Sequence, residues 1–178
     1  MTYVTVATED DITRILEIEQ EAISPPWTHG ALLGEIYRED SLFAVAKGLR
    51  DRRTALLTHP APMQNGTNEE ADPGILCKEN HPPDTLGFVI LRRAADEGEL
   101  FQIAVDKTAR QRGVADMLIT SALNYASESG LTSIHLEVRK SNEAAIALYK
   151  KHGFKLVRYR KNYFDKPVED AMVMVWEY

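Results

Sequence analysis

An alternating run, Leu100-Phe101-Gln102-Ile103-Ala104-Val105-Asp106, leads three residues later into a basic turn, Arg110-Gln111-Arg112-Gly113. A helical pattern starts at once, with Val114, Met117, Leu118, Ser121, Ala122 and Tyr125 at 3.6-residue spacing. A strand that exits through a short glycine turn into an amphipathic helix fixes a sheet-and-helix packing unit. It also creates a site. The first N–H groups of a helix lack acceptors, and the dipole favours negative charge there. Gly113 removes a Cβ from the approach, and Arg110 and Arg112 add charge-assisted donors, so the turn suits a phosphate or pyrophosphate. The same residues also describe a solvated turn with two surface arginines.

The rest of the chain reads as further short elements. Tyr3–Ala7 alternates like a strand. Asp10 or Asp11 caps a helix with Ile12, Ile15, Leu16, Ile18 and Ala22 on its apolar stripe, and Ser24-Pro25-Pro26 breaks it. A second helix is expected over 28–39, turning Leu32, Leu33, Ile36 and Tyr37 inward. Strands follow at 42–46, 86–91 and 100–105, then the helix 114–128 closed by Gly130. A strand over 133–138 precedes a helix over 142–152, with Ser141 or Asn142 as N-cap and Gly153 beyond it. The last strands are 154–159 and 172–176. Residues 50–83 are rich in Pro, Asn, Gly, Glu and Asp, and read as an insertion in a β-hairpin of a single 1–178 domain.

Composition narrows the class. At 178 residues with 44% hydrophobic content, one soluble domain with a real core is expected. No apolar run reaches membrane-spanning length and the N-terminus lacks a signal peptide's pattern, so a cytoplasmic protein without membrane contact is expected. One cysteine excludes an intrachain disulfide. Cys77, His59 and His81 lack a further ligand and any standard metal spacing, so no metal is expected. A net charge of −6 argues against direct nucleic-acid binding and suits a basic partner.

A second block carries Leu136-Glu137-Val138-Arg139, Ser141-Asn142, Leu148-Tyr149 and Gly153-Phe154. The turn matches Arg/Gln-x-x-Gly-x-Gly/Ala through Arg110, Gly113 and Ala115. Together these resemble the GCN5-related N-acetyltransferase superfamily. Glu19-Gln20, Pro26-Trp27, Ile103–Asp106, Arg160-Lys161-Asn162-Tyr163-Phe164, Glu169-Asp170-Ala171 and Val173-Met174 resemble its branch acting on the N-terminal alanine of a ribosomal protein. The resemblance spans nearly the whole chain outside 50–83. It implies an α/β fold: a mixed, mostly antiparallel sheet with helices on both faces. The strands ending near Val105 and Val138 splay apart, and acetyl-CoA lies between them as co-substrate. The implied cofactor contacts are the backbone of Ile103, Ala104 and Val105, the turn Arg110, Gln111, Arg112, Gly113, Val114, Ala115 and Asp116, and Asn142. Asp116 departs from the family pattern, which often has a basic residue there; its charge would repel a nearby phosphate.

The implied reaction is direct transfer in a ternary complex. Holding both reactants in one cleft can supply on the order of 7–11 kcal/mol at best. Strand-like binding of the pantetheine arm would aim one backbone N–H at the thioester oxygen. Glu137, opposite in alternation to Ile134, Leu136 and Val138, is the candidate base, acting through a raised pKa or a relayed water; its other reading is a strand carboxylate paired with Arg139 or a lysine. Tyr149 is the candidate acid, or a core tyrosine. Asn142 contacts the cofactor, or caps its helix. Trp27, Tyr163 and Phe164 flank the acceptor, or are buried structural aromatics.

Proton cost bears on the acceptor. An α-amine near 7.7–8.0 loses its proton at pH 7 for about 1 kcal/mol, whereas a lysine near 10.4 needs about 4–5 kcal/mol. A carboxylate base therefore suits a protein N-terminus, by resemblance that of a basic ribosomal protein. The alternatives are a lysine or small-amine acetyltransferase, and a non-catalytic acyl-CoA-binding interaction module.

Overall fold

The structure, a computed structural model, describes residues 1–23, 25–48 and 83–178. The expected insertion, with Cys77, His59 and His81, lies outside the described residues. Among the described residues seven strands form one sheet: β1 (Tyr3–Val6), β2 (Ser41–Gly48), β3 (Asp84–Ala94), β4 (Glu97–Val105), β5 (Ser133–Arg139), β6 (Lys155–Asp165) and β7 (Val168–Glu177). Their order is β1-β2-β3-β4-β5-β7-β6. The helices are α1 (Ile12–Ala22), α2 (His29–Ile36), α3 (Val114–Glu128) and α4 (Glu143–Lys151). The element sequence follows the reading from periodicity. Among the described residues no helix is long and apolar enough to cross a membrane.

Every neighbouring pair is antiparallel except β4–β5, which is parallel and joined by the crossover helix α3. That pair holds only at Glu97–Ser133, Gly98–Ile134 and Glu99–His135. Beyond it, β4 continues to Val105 and β5 to Arg139 without pairing to each other, so the sheet opens there. A bulge lies beside the opening: Ile90 faces Gln102 and Leu91 faces Leu100, leaving Phe101 as the extra residue. Such an insertion increases local twist.

Each face carries its own core. On one, α3 packs Val114, Leu118, Ile119, Ala122 and Ala126 onto Leu86, Val89, Leu136 and Met174. On the other, Ile12, Ile15 and Ile18 of α1 and Leu32 of α2 cover Val45, Phe88, Ile90 and Ala104. Asp11 joins the N-terminus to the sheet. Its carboxylate accepts from Thr85 Oγ1 at 2.6 Å and Thr8 N at 3.0 Å, and lies 3.0 Å from Lys47 Nζ.

Three expectations need correction. The second helix ends at Ile36, so Tyr37 points outward, its hydroxyl donating to Glu9. Glu35 takes the inner place instead, because i+3 from Leu32 lies on the same helix face. Ala22 is exposed where α1 frays out of the core. Phe154 precedes β6 and is buried, while β6 extends to Asp165 and contains the whole Arg160–Phe164 segment.

Candidate active site

The turn after β4 presents open backbone donors. Gly113 caps α3 at φ 78°, ψ 5°, and a Cβ there would find nothing within 4 Å, so the space outside the turn is open. Gln111 is also left-handed, at φ 58°. The first helical bond is donated by Met117 to Gly113 O at 3.1 Å, which leaves Val114, Ala115 and Asp116 N–H groups without intrahelical acceptors. Arg110 Nε donates to Val105 O at 3.1 Å and ties the turn to the strand end, while Arg112 is exposed. Asp106, buried, caps the intervening 3-10 turn through Thr108 N at 2.7 Å and pairs with Arg14 of α1.

Asp116 is not a free charge facing the turn. Its carboxylate accepts from Lys151 Nζ at 2.6 Å and meets His152 Nε2 at 2.9 Å. Those two hydrogen bonds hold its pKa below the usual aspartate range. The repulsion expected of Asp116 is thus offset by Lys151 at the end of α4 and by the hydrogen bond with His152.

The opening between β4 and β5 borders this turn. Ile103, Ala104 and Val105 pair with Val89, Phe88 and Gly87 on one side and with no strand on the other. Glu137 lies on β5, on the α1–α2 face, and Leu136 and Val138 point into the opposite core. Its expected alternative partner, Arg139, instead binds Glu169 at 3.3 Å and lies 4.2 Å over the Phe164 ring. Glu137 Oε1 accepts from Arg160 Nη1 of β6 at 2.8 Å. Glu99 is raised above the ordinary glutamate range, by burial first and then by the charge of Glu137. Glu99 and Glu137 thus form an acidic pair where the strands part.

Tyr149 is buried in the α3–α4 core, its ring 5.6 Å from Phe154. Burial pushes its phenol well up, so the group is protonated at neutral pH. Asn142 Oδ1 accepts from Ala145 N at 3.1 Å and caps α4, which leaves its amide nitrogen for other contacts.

The aromatic candidates fall on two walls. Trp27, in the α1–α2 loop, meets Phe101 edge-on at 6.2 Å. Tyr163 meets Phe164 at 5.0 Å and lies under Arg160 at 4.3 Å, which links it to Glu137. Sequence reading missed the residues that set these walls. Arg92 stands 4.1 Å over Phe101 and 5.2 Å over Trp27, and is held by the buried Glu35 at 2.6 Å. Glu19, fully buried, accepts from Trp27 N at 3.2 Å. The bulged Phe101 had no local signal, because its alternation is that of an ordinary strand. Arg160 stood within an alternating basic and aromatic segment that could have identified it. Among the described residues no group of three or more His, Cys, Asp or Glu side chains could hold a metal.

A family model described as "Acetyltransferase (GNAT) family" matches residues 31–154. The [ribosomal protein bS18]-alanine N-acetyltransferase of Haemophilus influenzae is 30% identical over 167 residues, covering 92% of this chain and 90% of that protein. The crystal structure of the ribosomal-protein-S18-alanine N-acetyltransferase from Escherichia coli is similar at TM-score 0.72 and 26% identity, covering 99% of this chain and 94% of that one. Arabidopsis thaliana NAA60, crystallised in complex with acetyl-CoA, shares the fold at TM-score 0.74 and 18% identity, covering 99% and 98%.

Proposed function

The chain belongs to the acetyltransferase (GNAT) family, and from that membership we propose that it moves acetyl from acetyl-CoA to the N-terminal alanine of ribosomal protein bS18. The acceptor follows from the full-length similarity to enzymes named for that protein. The observation that carries the chemistry is the opening between β4 and β5, with a phosphate-suited turn at one end and Glu137 on the acceptor face. The turn residues Arg110–Asp116 fit a pyrophosphate through free N–H groups, the Cβ-less Gly113 and the exposed Arg112. The unpaired edge of Ile103–Val105 accepts a pantetheine arm as a strand accepts a neighbour, and offers one N–H to the thioester oxygen.

The acceptor amine enters from the α1–α2 face, between Trp27 and Phe101 on one wall and Tyr163 and Phe164 on the other. Glu137 takes its proton, directly or through water, and Arg160 orients the carboxylate. The amine nitrogen forms a bond to the acetyl carbon and the carbon–sulfur bond breaks. Tyr149, held protonated by burial, hydrogen-bonds the leaving sulfur from the α4 side and passes it a proton, and the second proton that the nitrogen loses as the amide forms restores the phenol. Asn142 contributes through the amide nitrogen left free by capping. The test is acetyl transfer to an Ala-starting peptide of the acceptor's N-terminus, compared with the same peptide blocked at the N-terminus and bearing lysine. Transfer to the first alone is expected; transfer to the second alone assigns a lysine acetyltransferase instead.

A further inference from the structure

We propose that Arg92 of β3, locked by Glu35 of α2, is a positioning residue for acetyl transfer: it fixes Trp27 and Phe101 as one rigid wall of the acceptor entrance. This rests on the reading of that entrance given above, and adds a residue that the transfer chemistry itself does not require.

A glutamate, an arginine and a ring recur as a unit around the entrance. Glu137, Arg160 and Tyr163 form one, at 2.8 and 4.3 Å. Glu169, Arg139 and Phe164 form another, at 3.3 and 4.2 Å, and there Arg139 also donates to the carbonyls of Lys166 and Pro167 between β6 and β7. The first contains the proposed base and the second ties down a hairpin. The third, Glu35, Arg92 and Phe101 at 2.6 and 4.1 Å, does neither, and Trp27 shares its cation at 5.2 Å.

A carboxylate is costly where Glu35 stands, on the inner side of α2 with its side chain 1% exposed. Arg92 Nε reaches both of its oxygens at 3.1 Å, whereas Arg38 comes only to 3.9 Å. Apolar side chains of similar volume would pack α2 onto β3 without desolvating two charges. What they would not supply is a flat cation held at one place, and the two rings need one. Phe101 is the extra residue of the β3–β4 bulge, with no residue opposite it on β3, and it is 37% exposed. Trp27 lies in the α1–α2 loop, just after Pro25 and Pro26. Neither ring is placed by the ordinary pairing of the sheet. A guanidinium gripped by a carboxylate attracts the faces of both. A lysine ammonium, a point charge without the fork, would not hold that geometry. The same register sets Arg92 opposite Glu99, so the cation also stands beside the acidic pair.

The test is steady-state transfer by the full chain, with acetyl-CoA and whichever of the two peptides above it uses. It is combined with acrylamide quenching of Trp27 in a Trp176→Phe background, since these are the two tryptophans. Arg92→Met should raise the acceptor KM about tenfold, with kcat within about twofold and CoA affinity unchanged, because the wall acts on acceptor binding and not on the thioester. Trp27 should quench more strongly in the same variant. Arg92→Lys should keep most of the KM defect, since it restores charge without the fork. Phe101→Leu should raise KM as well. The double variant Arg92→Met, Phe101→Leu should be no worse than the poorer single variant, since both remove one wall. An unchanged KM in Arg92→Met overturns the proposal. So do single effects that multiply in the double variant, because Arg92 would then act apart from the ring. A joint loss of kcat, acceptor affinity and CoA affinity with a lower melting temperature also overturns it, and makes the Glu35 pair a prop of α2 packing. If Arg92→Met does not fold, Arg92→Lys carries the same readings. If the wild-type chain acetylates neither peptide, the transfer reading fails by itself, and the quenching of Trp27 still decides whether Arg92 fixes the wall.

Discussion

At the residue scale, Glu137 and Gly113 make the sharpest tests. Glu137→Gln keeps the size and the contact to Arg160 but removes the base. It should lower kcat by roughly 10²–10⁴-fold with CoA affinity retained. Near-wild-type turnover at pH 7.5 would make Glu137 a structural ion-pair partner of Arg160. Gly113 tests the cofactor turn. Its φ of 78° is strained for a β-branched residue, by about 1–3 kcal/mol. Gly113→Val should weaken CoA binding in calorimetry, since the added methyls occupy the open approach. An unchanged Kd would remove the cofactor from this turn. Both residues were legible in the sequence: Glu137 through strand alternation with the family segment, and Gly113 through its place between a strand and a helix. Their partners were not. Arg160 is 23 positions from Glu137, and only the β5–β7–β6 order brings them together.

Among elements, the N-terminal 3-10 turn and the β2–β3 hairpin carry the predictions. Burial alone would raise the pKa of Asp11; hydrogen bonds from Thr85, Thr8 and Lys47 outweigh it and bring the pKa below the ordinary 3.8. A lowered folded-state pKa means stability that is fully present above the unfolded value and lost as pH falls through the folded one. Asp11→Asn should therefore cost on the order of 1–3 kcal/mol at pH 7 and flatten the acid limb of stability below pH ~4. Denaturant unfolding across pH 2–7 measures both; an unchanged acid limb would show that Asp11 does not carry it. In the hairpin, Lys47 pairs with Thr85 and Gly48 with Asp84. Replacing 49–83 by an Asn-Gly turn should give a soluble, CoA-binding protein that melts cooperatively, because two residues close such a register. Loss of cooperative melting would place residues of that segment in the core.

For the whole molecule, the relevant quantity is where charge lies. The acidic pair Glu99 and Glu137 lies at the proposed acceptor mouth, with Glu97 4.0 Å from His135 nearby. Glu21 is paired with Lys107 at 2.9 Å. An acceptor with basic residues after its first alanine should show kcat/KM falling as salt rises, because screening weakens exposed contacts. Ala-starting peptides with basic or acidic second halves, assayed at low and high salt, measure this. Equal rates at low salt would take electrostatics out of acceptor choice.

Periodicity and punctuation were enough for the element order, since strands and helices declare themselves by where apolar residues recur and where Gly, Pro and capping residues interrupt them. The turn was legible in the same way, and the family through the resemblance of its segments, because both signals lie within contiguous stretches of chain. The tertiary structure alone decided what depends on register and crossing: the end of β4–β5 pairing at Glu99–His135, the bulge that turns Phe101 toward Trp27, and the inward Glu35 that holds Arg92 between the rings. It also decided the fate of charge. Asp116, Glu137 and the cations of β6 are near neighbours or strangers only once the strands are ordered, since an ion pair depends on distance in space and the sequence records only distance along the chain.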